Sequence, residues 1–391
     1  MEKIYCPHVL NALEITTLGS FKSCCVSDKL FKDSNGKNFN ASNTSIETVW
    51  NSQDRKDWIE NFDENFPTDC KQCYQVEVSG GESKRLREIN YWSRYYNIDT
   101  NNVSKVIFDS ADMEMLDLKL GNICNLACAT CHPASSSRWN TYYKQFKGSF
   151  DTTTQIWQDT DEFWNNLINN VKKVKKIEMA GGEPFMNQKQ KLLINYLVEN
   201  DLAKNIDITW ISNCTFYEEE LIEKFKYFKA VNMTISIDNT HEQFEYMRYP
   251  AKWDESYDIF LKFNKLKEQK LINLSISHTI SFLNIFRLPE FWKWAKDHKV
   301  FVFNNLVMWP FSVQVLPATF KFKVKEKLEN YQDSSYQSNP ANGKDSWLVK
   351  FMLQKNKSSW EKSVNHLKFV NSTRQGLFEK AFPELIELDI L

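Results

Sequence analysis

The chain has 391 residues, 42% apolar and 14% aromatic, with a formal net charge of −1. That length suits one large domain with one or two smaller ones. The balanced charge excludes global steering toward nucleic acid or an anionic membrane, and no run of 18 apolar residues reads as a membrane span.

Up to about residue 95 the sequence carries little regular pattern. Asp33-Ser34-Asn35-Gly36-Lys37 is a turn, Ser45 an expected helix N-cap ahead of Val49-Trp50, and Ser83–Tyr96 an expected helix. From about residue 113 short apolar runs recur: Met115–Leu120, Val174–Ala180, Ile206–Ser212, Ala230–Ile237, Ile272–Ile280 and Val300–Leu306. Helical stretches separate them: Asp161–Lys172, Lys189–Glu199, Glu218–Phe228, Asp254–Glu268 and Leu288–His298. Strands alternating with helices at this spacing predict βαβ units and a parallel sheet, closed into an open or partial barrel by right-handed crossovers. Ligands in such sheets collect at the C-terminal strand ends. Beyond Ala318 the chain reads as helical and charged, with a loop over Ser335 to Lys344. The expected fold class is α/β, divided into residues 1–95, a partial (β/α)6 barrel over 96–317, and a C-terminal helical extension over 318–391.

The nine cysteines do not suit a disulfide scaffold, which is usually short and cysteine-dense. Met1 to Thr17 lacks a signal-peptide plan, so the expected location is cytoplasmic. Cys124, Cys128 and Cys131 form C-x3-C-x2-C directly after the first predicted strand of the barrel. Three thiolates at this spacing can hold three irons of a 4Fe–4S cube and leave the fourth open for chemistry. Gly181-Gly182-Glu183-Pro184 follows the second strand, Ser212-Asn213 the third, and Asp238 the fourth. Upstream, Cys6, Cys24, Cys70 and Cys73 form a second constellation, with Cys25 spare.

Together these motifs resemble the radical S-adenosylmethionine (SAM) superfamily over about residues 113–317. The resemblance implies a 4Fe–4S cluster on Cys124, Cys128 and Cys131, with SAM chelating its open iron. One electron then cleaves the sulfonium to methionine and a 5′-deoxyadenosyl radical, which abstracts hydrogen from substrate. Gly181, Gly182, Glu183 and Pro184 would flank the methionyl end, the glycines allowing close backbone approach and Glu183 accepting from the ammonium. Ser212, Asn213 and Thr215 resemble an adenosine-side element, with Cys214 where glycine is common. Ser236, Asp238 and Arg248 resemble a Ser-x-Asp…Arg element, Ser236 on the ribose and Arg248 on the SAM carboxylate; Asn284 is a further candidate. Thr130 stands where many members carry an aromatic, and His132 reads as packing.

Residues 4–95 resemble the SPASM-related "twitch" domain, here placed ahead of the barrel, the Glu77…Gly80-Gly81…Ser83…Arg85 run included. That implies a second, auxiliary 4Fe–4S cluster on Cys6, Cys24, Cys70 and Cys73; two cysteine pairs also suit structural zinc. Expected partners are an electron donor such as flavodoxin or ferredoxin and a peptide or small-molecule substrate. The basic run Val171–Lys176 leaves nucleic-acid modification as an alternative, and a non-catalytic iron–sulfur scaffold as another.

Overall fold

The first strand of the chain, β1 (Ala12–Ile15), is buried along its whole length and lies parallel to β3 (Met115–Lys119). The structure is a computed structural model and describes residues 6–62, 68–103, 112–147, 157–308, 310–331, 346–355, 359–374 and 376–388. Among the described residues the remaining strands are β2 (Phe21–Lys22), β4 (Lys176–Ala180), β5 (Asp207–Ser212), β6 (Ala230–Ser236), β7 (Asn273–Ile280) and β8 (Phe301–Leu306). They form one eight-stranded sheet of order β2-β1-β3-β4-β5-β6-β7-β8. β2 is antiparallel to β1, whereas β1–β3, β3–β4, β4–β5 and β7–β8 are parallel. The mixed α/β class is as the alternation of apolar runs and helices predicts.

Contacts divide the chain into two compact units. One contains the described parts of residues 1–124, 151–210 and 218–232; the other contains those of 125–150, 211–217 and 233–391.

In the first unit, β3 and β4 are buried on both faces. Period-2 alternation then puts Leu116, Leu118, Ile177 and Met179 on one face and Asp117, Lys119, Lys176 and Glu178 on the other. The helix Asp161–Asn170 begins where the Thr160 hydroxyl accepts from Phe163 N, and buries Phe163, Trp164 and Leu167. Ser45 and Ser83 cap the helices Ile46–Trp50 and Lys84–Tyr96 in the same way. The stretch expected as a single helix over 218–228 is instead a short helix, Glu219–Ile222, and a 3-10 turn, Phe225–Tyr227. Packing overrides helical period there: Phe225 stacks on Trp210 with centroids 5.1 Å apart.

In the second unit, β7 alternates strictly, with Leu274, Ile276, His278 and Ile280 on its buried side. Trp253–Glu268 buries Trp253, Phe260, Phe263 and Leu266 at helical spacing. Asp254 and Glu255 occupy its first turn and Lys265 and Lys267 its last, matching the helix dipole. The C-terminal part is helical as expected, over Ala318–Glu329, Trp347–Leu353, Trp360–Ser372 and Phe378–Ala381. The loop expected over Ser335 to Lys344 lies outside the described residues.

Candidate functional site

In the first unit the ends of β3 and β4 run on as two loops in direct backbone contact. Gly182 N donates to Gly121 O at 2.9 Å, and Glu183 N to Ile123 O at 2.8 Å. A Cβ on Gly182 would lie 2.1 Å from Ile123 O, and one on Gly181 (φ 128°) 2.7 Å from Leu120 N. The two glycines therefore permit close approach between the Gly-Gly-Glu-Pro turn and the loop leading to Cys124. The sequence reading assigned that approach to a ligand. Glu183 is buried, and its carboxylate accepts from Phe185 N at 3.2 Å, capping the turn Pro184–Met186.

The second unit holds the rest of the cysteine loop. Ala127 N donates to Tyr249 O and Ala129 N to Met247 O, at 2.7 and 2.8 Å. The Trp139 indole donates to Cys128 O at 3.0 Å. Cys128 is buried and Cys131 half-buried. Asn125 Nδ2 donates to the Thr215 hydroxyl at 2.9 Å, and Asn213 Nδ2 to Asn125 Oδ1 at 2.9 Å. Asn213 Oδ1 accepts from the Thr215 hydroxyl at 2.6 Å, closing a triangle that ties the strand end to the loop. Ser212 is buried, and its hydroxyl accepts from Cys214 N at 3.3 Å. Cys214 takes the left-handed conformation (φ 63°) that glycine would adopt freely, and is fully buried.

Arg248 is the centre of charge beside this loop. Its Nε lies 2.8 Å from Asp238 Oδ2 and its Nη1 3.8 Å from Cys128 Sγ. Asp238 is fully buried, and its Oδ1 accepts from Thr279 N at 2.8 Å. Burial opposes the Arg248 charge, but Asp238 and Cys128 outweigh it and hold the guanidinium above its usual range. Burial likewise pushes the Cys128 thiol up, against the pull of Arg248. Asn284 Nδ2 donates to Asp238 O at 3.2 Å, and His278 Nε2 lies 2.9 Å from the same oxygen. Ser236 closes β6 two residues before Asp238, half-buried.

The N-terminal cysteines gather in the first unit. Cys6 is the N-cap of the helix Pro7–Asn11, and Cys73 lies in the helix Lys71–Val78. Asp28 N donates to Asp69 O at 3.0 Å, joining the segments of Cys24 and Cys70. Burial, then neighbouring Cys73, pushes Cys6 up to about 12, and Cys70 rises to about 12 for the same reasons. Such thiols repel one another as thiolates and ionise together only around a cationic centre. Cys73 is raised by burial, against a hydrogen bond from Arg85 N and contact with the Ser83 hydroxyl, which donates to Glu77 Oε1 at 2.5 Å. Glu77 pairs with Arg85 through Oε1 and Nε at 3.0 Å, so the Glu77…Ser83…Arg85 run clasps the turn beside Cys73. Cys25 is hydrogen-bonded to the Cys24 thiol and also borders the sheet: its sulfur and single carboxylate oxygens of Glu14 and Asp117 lie within 4.8 Å of one another.

A row of buried charges across β1, β3 and β4 gave no sequence signal. Glu14 is the register partner of Asp117, and Asp117 of Glu178. Lys84 reaches Glu178 at 3.2 Å, and Lys176 bridges Glu88 at 2.8 Å and Glu178 at 3.1 Å. Asn125 and His278 were equally silent, because asparagine in a loop and histidine in a strand carry no spacing rule.

Residues 118–281 match the radical SAM superfamily, and residues 6–74 match SPASM, an iron–sulfur cluster-binding domain. Over 127 residues, 32% of this chain, the sequence is 29% identical to an uncharacterized protein, MJ0907, of Methanocaldococcus jannaschii, and spans 39% of that relative's length. Among solved structures it is similar to native anSMEcpe with bound AdoMet, at 15% identity and a TM-score of 0.41, covering 56% of this chain and 59% of that one. It is also similar to Streptococcus suis SuiB bound to S-adenosylmethionine, at 14% identity and a TM-score of 0.35, covering 77% and 63%. A radical SAM domain over residues 118–281 therefore follows a SPASM-type iron–sulfur domain over residues 6–74. These domains imply a 4Fe–4S cluster with SAM and an auxiliary iron–sulfur cluster. The donor sets fit both groups: soft thiols throughout, with Arg248 within reach of a cysteine sulfur in one and the Arg85 N–H on Cys73 in the other. Among the described residues no helix is long and apolar enough to cross a membrane.

Proposed function

We propose that this chain reductively cleaves SAM at a 4Fe–4S cluster held by Cys124, Cys128 and Cys131, and uses the cleavage to take hydrogen from a peptide or small-molecule substrate. The observation that carries this reading is Arg248, anchored on Asp238 and 3.8 Å from the Cys128 sulfur. Cluster and sulfonium, when bound, supply a low-potential electron and a cleavable C5′–S bond.

The chain's own residues do the positioning. Backbone bonds from Ala127 and Ala129, and the Asn125–Asn213–Thr215 triangle, hold the cysteine loop. Asp238, fixed by Thr279 N, sets the direction of the Arg248 guanidinium, whose planar fork suits a carboxylate such as that of SAM. Gly181, Gly182, Glu183 and Pro184 are assigned to the methionyl end of SAM, and Ser212, Asn213 and Ser236 to its nucleoside end. Cys6, Cys24, Cys70 and Cys73, within residues 1–95, are assigned to an auxiliary cluster that relays electrons, with a protein such as flavodoxin or ferredoxin as donor.

The test is anaerobic incubation of reconstituted protein with SAM and dithionite. Methionine and 5′-deoxyadenosine form with the native chain and are absent with Cys128→Ala. An iron-loaded native chain that yields neither product refutes the reading.

A further inference from the structure

Arg374 follows the C-terminal helix Trp360–Ser372, far in sequence from every motif above, yet its side chain is only 1% exposed. Its Nη2 donates to Ala127 O, the carbonyl directly before Cys128, and its Nη1 to Val370 O at 3.3 Å. The guanidinium carbon lies 5.3 Å from the ring centroids of Trp139 and Tyr246 and 5.4 Å from that of Tyr249. Two of those residues also grip the loop, Trp139 at Cys128 O and Tyr249 at Ala127 N. Arg374 thus closes an aromatic cage behind the loop.

Among the described residues no carboxylate forms an ion pair with Arg374. The groups that most favour the Arg374 charge are Tyr246, Cys128, Tyr142 and Tyr249, phenols and a thiol, while the Glu379 carboxylate acts on Tyr246. Burial works against the charge and is its largest perturbation. Cation–π contact offsets part of that penalty, but a buried cation without an anion remains costly. An iron–sulfur cluster on Cys128 would supply the missing negative charge, and would gain more of it on taking an electron. The potential of such a cluster follows its net charge and surroundings.

We propose that Arg374 is a positioning residue of the cysteine loop and, in addition to Arg248, a second buried positive charge that eases reduction of the cluster on Cys128. This rests on the assignment of Cys128 as a cluster ligand. The redox step is one electron passing from dithionite to the oxidised cluster, with no bond made or broken.

The test compares the native chain with Arg374→Met and Arg374→Lys, each full-length and reconstituted. Iron per chain is measured, and the midpoint potential is read by titration of the electron-paramagnetic signal that SAM perturbs. Arg374→Met, which keeps bulk and loses charge, retains iron, and its reduction equilibrium moves about tenfold against the reduced form, about 59 mV for one electron. Arg374→Lys keeps the charge and a near-native potential, but loses iron faster because one ammonium replaces the fork across two carbonyls. An unchanged potential in Arg374→Met, or an equal shift in Arg374→Lys, overturns the proposal. If Arg374→Met does not hold iron, the potential of Arg374→Lys decides alone. A native chain that takes up no iron refutes the Cys128 assignment itself, before any variant is compared.

Discussion

Replacing Gly182 by alanine inserts a methyl group where two backbones already touch. The new Cβ would lie 2.1 Å from Ile123 O, 2.5 Å from Ile123 C and 2.7 Å from Asn122 C, all backbone atoms that no rotamer change can move. Ordinary contact begins at 3.4 Å, so the two loops must part by about 1.3 Å, the difference between 3.4 and 2.1 Å. That parting breaks the bonds Gly182 N to Gly121 O and Glu183 N to Ile123 O, now 2.9 and 2.8 Å. Two bonds at roughly 1 kcal/mol each, with overpacking of roughly 1–3 kcal/mol, give a loss of about 3–5 kcal/mol. Gly36→Ala is the control: φ is +77°, and a Cβ there meets nothing within 4 Å. It bears only the left-handed backbone cost, about 1–2 kcal/mol. Urea unfolding of both variants, compared at equal m, reads the difference. If Gly182→Ala loses no more than Gly36→Ala, the loop-to-loop contact is not what requires the glycine.

Cys73→Ala should lose about half of the iron while keeping some SAM cleavage, since it touches only the auxiliary set; unchanged iron per chain would refute the second cluster. Asp238→Asn leaves the Arg248 guanidinium buried without its carboxylate, and thermal unfolding should register a loss of roughly 3–5 kcal/mol; a loss below 1 kcal/mol would mean that the pair does not hold this region together. Glu14 gives a pH signature: burial, then Asp117 beside it, raises its carboxyl from 4.5 to about 8. The folded chain keeps that proton while the unfolded chain gives it up. The associated stability is therefore complete below pH 4.5 and drains away as pH climbs to about 8. Measured against Glu14→Gln, native stability should fall across that window, and a constant difference would show that Glu14 does not carry the effect.

Local chemistry was legible in the linear chain. Cys124, Cys128 and Cys131 lie within eight residues, so chain geometry alone keeps their sulfurs close, and the glycines of 181–182 mark a tight turn in any fold. The strand at 115–119 and the helices at 161–170 and 253–268 follow their apolar periods. β1 was not legible: four residues, buried along their whole length, offer no alternation, and β1 is a strand because β3 supplies a parallel partner.

Tertiary structure alone decided which distant residues serve the same loop. Asn213 meets Asn125 across 88 positions, Arg248 meets Cys128 across 120, and Arg374 meets Ala127 across 247. Sequence periodicity reports on neighbours a few residues apart, whereas these meetings depend on strand order and loop closure. The same holds for the row Glu14, Asp117 and Glu178: each is an ordinary acidic residue in its own strand, and only lateral register makes them neighbours with shared lysines and a shared electrostatic cost.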